Sequence, residues 1–225
     1  ITGNKFGVPL FLLISWLVAE PFLPKALAGY WVYGYFLIFL TALFFLNKHK
    51  RIFLVYMLAV AAISFLGFFN LKSDLIITRK INIILEILFS VSVTVNIVWY
   101  TSDFKNNIKD GISGAILGFL IMAGCFAIIY YGVCSFDPAV VHFSTISKGI
   151  IQQKEAASLL EAGDLIYLSF ITITTCGYGD ILPVSALAKR LCSIEACTGA
   201  LYLAIFVGRL FAMHHDKIKT DKEKA

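Results

Sequence analysis

Charge is what this sequence most lacks. Only 15% of its 225 residues are Asp, Glu, Lys or Arg, while 59% are hydrophobic. A mean hydropathy of +0.84 lies well outside the range of soluble globular domains. So few charges cannot clothe a protein in water, and the chain is read as living in lipid. Cysteine is sparse and unpatterned. Cys125, Cys134, Cys176, Cys192 and Cys197 stand in or beside apolar blocks, without CxxC or metal-ligand spacing. They read as small packed hydrophobes, not as a metal centre or disulfide framework. No nucleophile or His/Asp/Glu constellation of enzymatic spacing occurs, so no enzyme is expected. Internal repeats are missing too, which argues against a secondary transporter built from two similar halves. The net charge of +5 forms no stripe with interleaved aromatics. Nucleic acid is therefore not an expected partner, no soluble partner is implied, and the lipid bilayer is.

What is present is a series of long apolar blocks: Phe6 to Ala19, Tyr30 to Leu46, Ile52 to Leu71, Ile81 to Tyr100, Ile112 to Cys134 and Ala186 to Met213. A helix needs about 20 such residues to cross the hydrocarbon core, so six spans are expected. The first is cut short by Glu20, Pro21 and Pro24. Its alternative, a cleavable signal peptide, has only Lys5 for a basic start and no convincing small-x-small site, so the block is read as a helix. Lys48, Lys50 and Arg51 crowd one short loop, and Lys217, Lys219, Lys222 and Lys224 fill the tail. Short basic segments stay cytoplasmic, and an even number of spans puts both termini on that side. The loop holding Lys72, Arg79 and Lys80 then faces outward, against the trend.

One connection is too long to be an idle turn. Ser135 to Gly163 carries Asp137, Pro138, Lys148, Lys154, Glu155 and Glu161 and belongs in water. From Asp164, an N-cap candidate, Leu165 to Thr174 are mostly apolar. At ~1.5 Å per residue that run crosses only half a bilayer. A half-span followed by Cys176-Gly177-Tyr178-Gly179-Asp180 and a return at Pro183 is a re-entrant hairpin. Irregular backbone at membrane depth survives only where protein covers it or where it lines a wet cavity.

The string Ser169-Phe170-Ile171-Thr172-Ile173-Thr174-Thr175-Cys176-Gly177-Tyr178-Gly179-Asp180-Ile181-Leu182-Pro183 resembles the pore signature of the tetrameric potassium-channel family. Glu195-Ala196-Cys197-Thr198-Gly199 looks like the inner helix of bacterial members with six spans and one pore per chain. The likeness covers about Ile112 to Met213, and the first four spans match only in number and layout. It implies an all-α membrane protein of six transmembrane helices, one re-entrant pore helix and a selectivity-filter loop, assembled as a C4 homotetramer. Residues 1–111 then form a peripheral four-helix domain and 112–213 the pore domain. The latter divides into outer helix 112–134, extracellular loop 135–163, pore helix 164–174, filter 175–179 and inner helix 185–213, with 214–225 a cytoplasmic tail. The expected place is a plasma or bacterial inner membrane, crossed several times. Potassium ions in the filter are expected in place of any cofactor.

A potassium ion in lipid must exchange its hydration shell for fixed oxygens, and a column of backbone carbonyls supplies them. Successive carbonyls point inward only if the backbone alternates between ordinary and positive φ, which Gly177 and Gly179 tolerate. Thr175, Cys176, Gly177, Tyr178 and Gly179 are the expected coordinating residues, with potassium at Thr175, Cys176, Gly177 and Tyr178. Tyr178 is expected to face away from the ions against a pore-helix wall. Cys176 replaces the family's Val or Ile, and Ile171 replaces a Glu that in some bacterial members holds the aspartate equivalent to Asp180. Tyr167 is the substitute partner expected for Asp180 at the outer mouth. Glu195 is read as an anchor reaching hydroxyls such as Thr172 or Thr174 behind the filter, against the alternative of a cavity-lining charge. Gly199 falls where the family places its gating hinge, against the alternative of close helix contact. Leu203, Val207 and Phe211 recur at helical spacing and are candidates for the cavity or inner gate, with ordinary interhelical packing as the alternative. His214 and His215 are read as solvated.

Two rival functions share these features: a weakly selective cation channel and a non-conducting membrane subunit. No ligand-binding or nucleotide-binding domain is expected from the residues after Met213, so a gating ligand is expected to act on the membrane part or on a part outside this chain. A voltage-sensing fourth span carries Arg or Lys at every third position, because each charge contributes ~2.3 kcal/mol per 100 mV. Ile81 to Trp99 has no basic residue and carries Glu86 instead. The conductance of the purified protein is therefore expected to vary only shallowly with voltage. A steep conductance–voltage curve with several gating charges contradicts that reading.

Overall fold

Lipid is as apolar as leucine, so helices in it associate through close packing and polar contacts, not through burial of apolar surface. One helix collects most of those contacts here. The computed structural model describes residues 6–19, 22, 41, 55, 58–59, 62, 76–101, 108–136, 143–147, 150–152 and 162–223. Within them the elements are α1 (Gly7–Ala19), α2 (Ile76–Thr101), α3 (Ile108–Phe136), β1 (Phe143–Ser147), β2 (Ile150–Gln152), α4 (Ala162–Ile173), β3 (Ile181–Pro183) and α5 (Ala186–Glu223). On one side of α3, Leu117, Ile121 and Ile128 pack with Phe6 and Leu13 beside α1 and Phe89, Val93 and Ile97 of α2. On the other, Tyr130 and Cys134 pack with Leu165, Leu168 and Ile171 of α4 and Ala188 of α5. Helix α3 is the hub between the peripheral helices and the re-entrant segment.

Helix α2 is patterned inside out. Asn82, Glu86, Ser90 and Thr94, four residues apart and so on one face, are all buried. Ile77, Ile81, Ile84, Leu88, Val91, Val95 and Trp99 are exposed. Such an arrangement suits a helix whose outer solvent is hydrocarbon. The Asn82 amide donates to Glu86 at 2.8 Å, and Ser90 and Thr94 donate to backbone carbonyls within the helix at 2.9 and 2.7 Å. A Cβ on Gly132 of α3 would lie 2.6 Å from Ile87 Cδ1, so glycine is what lets α2 approach this closely.

Among the described residues, three helical segments are long and apolar enough to cross a membrane: Lys80–Trp99, Asp110–Ser135 and Ala186–Arg209. At 13 residues α1 falls short of a span. The expected blocks Tyr30 to Leu46 and Ile52 to Leu71 lie outside the described residues. Arg79 and Lys80 stand in the first turn of α2, not in a loop as the sequence reading had them. Helix α5 continues through the expected tail to Glu223 and, at 38 residues and ~1.5 Å each, is roughly 57 Å long. Its upper part faces α4 and much of its remaining surface is uncovered by its own chain.

One addition to the helical plan sits in the connection expected to be a wet loop. Strands β1 and β2 pair antiparallel, with Ser147 opposite Ile150 and Thr145 opposite Gln152. Strand β3 joins the other edge of β1, with Thr145 opposite Ile181 and Phe143 opposite Pro183. The run Phe143-Ser144-Thr145-Ile146-Ser147, followed in sequence by a glycine at 149, is a strand signal. The segment leaving Asp180 is thereby stitched to the outer loop.

Candidate functional site

Helix α4 begins with Asp164 in its first turn and ends after Ile173 at a backbone reversal. Thr174 N–H still reaches the Phe170 carbonyl (3.2 Å), but Thr175 N–H turns to Thr172 (2.9 Å) and Gly177 N–H to Ile171 (3.0 Å). Beyond that point φ is positive at every second residue: +57° at Thr175, +52° at Gly177 and +77° at Gly179. Alternation of this kind turns successive peptide carbonyls to one side of the strand. The two glycines adopt it without a Cβ penalty. Thr175 does not, since a β-branched residue in the left-handed region costs about 1–3 kcal/mol and must be held there by its surroundings. Glycine was the visible part of this pattern in the sequence, and Thr175 was not. No Cβ contact within 4 Å hems in Gly177 or Gly179, so backbone conformation and not crowding demands glycine there.

Residues 174 to 178 are exposed in the single chain. Tyr178 is 72% exposed, so any pore-helix wall it packs against is not its own chain's. Cys176 is likewise a free, exposed thiol. Asp180 is fixed at the far end by both carboxylate oxygens: Tyr167 O–H donates to Oδ2 at 2.8 Å, and Ile181 N–H donates to Oδ1 at 3.1 Å.

Behind the segment, Glu195 is completely buried. Its carboxyl group accepts from the Tyr130 hydroxyl of α3 through Oε2 and is bonded to the Ser169 hydroxyl of α4 through Oε1. The expected partners were Thr172 or Thr174. Thr174 instead folds its hydroxyl back on the Phe170 carbonyl at 2.6 Å, because the helix end leaves that carbonyl in reach. Ser169 and Tyr130 were missed, although a buried intramembrane carboxylate demands polar partners, and hydroxyls in otherwise apolar helices are where to seek them. Gly199 sits one turn after Glu195 against α4, where a Cβ would collide with the Ile173 carbonyl oxygen and lie 2.7 Å from Ile173 Cγ1. Close contact thus accounts for this glycine, and α5 runs unbroken through it. Tyr202 continues the same face, donating to the Ala115 carbonyl at 2.9 Å. Leu203, Val207 and Phe211 are all exposed, but so are Ile194, Leu201 and Ile205, so exposure alone does not single out a lining stripe. Among the described residues no group of His, Cys, Asp and Glu is placed to hold a metal ion.

Residues 118–214, from within α3 through α4 and the irregular segment into α5, match the ion channel family. The A-type voltage-gated potassium channel KCND3 of Rattus norvegicus and that of Homo sapiens are each 25% identical to this chain over 114 residues, which is 49% of this chain. The chain spans 17% of the length of those relatives. No solved structure matches. The region that carries α4 and the irregular segment is thus similar to an ion channel family and to part of a potassium channel.

Two substitutions probe this geometry. Ala in place of Gly199 gains about 1 kcal/mol of helix propensity, yet overpacking against a backbone oxygen costs about 1–3 kcal/mol. G199A is therefore expected to lower the thermal unfolding midpoint, and a raised midpoint contradicts the contact role. Y167F removes a hydrogen bond to a carboxylate, about 1.5–3 kcal/mol. In a chain that conducts potassium it is expected to speed inactivation of the current roughly tenfold, and unchanged inactivation contradicts a bracing role for Tyr167.

Proposed function

We propose that this chain is one subunit of a potassium-selective channel that conducts passively through a filter of backbone carbonyls. The observation that carries the proposal is the alternating positive φ at Thr175, Gly177 and Gly179, in an exposed strand at the end of a half-span helix. Uncovered irregular backbone at membrane depth needs either protein or a wet cavity beside it. Four copies around one axis meet both needs, since each strand then faces ions on one side and neighbouring chains on the other. Each subunit contributes one quarter of the ring, which favours a closed C4 homotetramer. The uncovered surface of α5 and the exposed ring of Tyr178 supply apolar area for such neighbours.

In this reading Thr175, Cys176, Gly177, Tyr178 and Gly179 coordinate potassium, Asp180 and Tyr167 brace the outer mouth, and Glu195 anchors α5 behind the filter. Leu203, Val207 and Phe211 lie toward the inner mouth, where an apolar ring gates by dewetting. The architecture is that of a six-span channel of a plasma or bacterial inner membrane with both termini cytoplasmic. The buried pair Asn82 and Glu86 of α2, with no basic residue from Ile81 to Trp99, supports gating that is not strongly driven by voltage.

Planar-bilayer recording of the purified protein tests selectivity directly. Under a tenfold potassium gradient opposed by sodium, the reversal potential is expected to follow potassium, about 59 mV per tenfold for a monovalent ion. A reversal potential near zero overturns potassium selectivity, and no current at all overturns the channel reading.

A further inference from the structure

The Ser169 hydroxyl has one proton and two acceptors. Its Oγ lies 2.7 Å from the Ala123 carbonyl oxygen of α3, an ordinary O–H···O length, and it is also bonded to Glu195 Oε1. If Glu195 were an ionised carboxylate, that single proton would serve one contact only. The other would press two lone-pair oxygens together with no hydrogen between them. Nothing offsets a charge at this place. Glu195 is fully buried, and among the described residues no lysine or arginine pairs with it. The titratable groups that face it are Tyr130 and Cys125 of α3 and Cys192 on its own helix, none of them a cation. An isolated buried carboxylate takes up a proton instead of remaining charged.

We propose that Glu195 is a protonated glutamic acid that donates its Oε1 proton to Ser169, which in turn donates to the Ala123 carbonyl, while Tyr130 donates to Oε2. With one proton on the carboxyl group, every contact in this set has one donor and one acceptor. The result is an uncharged chain of hydrogen bonds that ties α5 to α3 and α4 one turn before Gly199 meets the Ile173 carbonyl. Glu195, Ser169 and Tyr130 are then positioning residues for the helix that carries the filter. That last statement rests on the channel reading, whereas the protonation state does not.

Infrared difference spectroscopy of the full chain in lipid vesicles at neutral pH separates the two. Subtracting the E195Q spectrum from that of the native protein is expected to leave the C=O stretching band of a protonated carboxylic acid. Loss of an ionised carboxylate band in its place overturns the proposal. S169A retains Glu195 and gives a second reading should E195Q fail to assemble: the acid band shifts when its acceptor is removed, and an unmoved band overturns the chain. Potassium flux into the same vesicles reads the positioning role. The Gln amide donates to Ser169 and accepts from Tyr130, so E195Q keeps flux within about threefold of native, while E195A removes the link from α5 to α3 and α4 and cuts it about tenfold. Equal losses in E195Q and E195A mean that a negative charge is required, which overturns the proposal. If the native chain carries no flux, the channel reading fails and the infrared bands still decide the proton.

Discussion

Everything in the lower half of this molecule follows from one constraint: backbone polar groups at membrane depth must be satisfied without bulk water. Helices α2, α3 and α5 meet it within themselves. Helix α4 does not, because it stops half-way and opens into a strand whose φ alternates in sign. The groups freed at its end are partly recovered at once, by the bonds of Thr175 and Gly177 back to Thr172 and Ile171. In the proposed channel, the carbonyls of residues 175–179 are left to ions and neighbouring subunits. A conformation with a left-handed Thr175 is unfavourable in isolation, so the surroundings must impose it. Asp180 does so at the outer end by using both carboxylate oxygens, one on α4 through Tyr167 and one on its own exit strand through Ile181.

The inner side is held differently. Lipid gives no hydrophobic drive for α5 to press on α4, so close packing and hydrogen bonds must do it. Gly199 permits backbone approach to Ile173, and Glu195 with Ser169 and Tyr130 fixes the axial register one turn earlier. The two features lie one turn apart on α5, so the close approach at Gly199 and the hydrogen bonds of Glu195 act on the same contact with α4.

The half-span, the glycines and the link from Tyr167 to Asp180 were all legible in the sequence, because each depends on residues close together in the chain. Glycine at alternate positions declares a backbone conformation, and a tyrosine thirteen residues before an aspartate on a helix-then-reversal path is geometrically constrained. What escaped depends on distance in the chain. Tyr130 and Glu195 are 65 residues apart, and nothing local to either names the other. Thr175 escaped for another reason: the rule that reserves positive φ for glycine fails where surroundings impose strain. The strands from Phe143 were hidden because the connection was read from its charged residues as a wet loop, although Phe143-Ser144-Thr145-Ile146-Ser147 itself carries no charge. Arg79 and Lys80 were placed in a loop, whereas α2 already begins at Ile76 and includes both.

Helix α3 turns these separate devices into one mechanical unit. One of its faces receives the polar stripe of α2, where Cys125 lies 3.6 Å from the Ser90 hydroxyl. Another presents the Ala123 carbonyl and the Tyr130 hydroxyl to the network behind the filter. Cys125 and Ala123 are two residues apart, so the contact with α2 and the contact with Ser169 fall on the same stretch of α3. The buried polar residues of α2, Asn82, Glu86, Ser90 and Thr94, are costly to maintain in lipid and share one face of that helix.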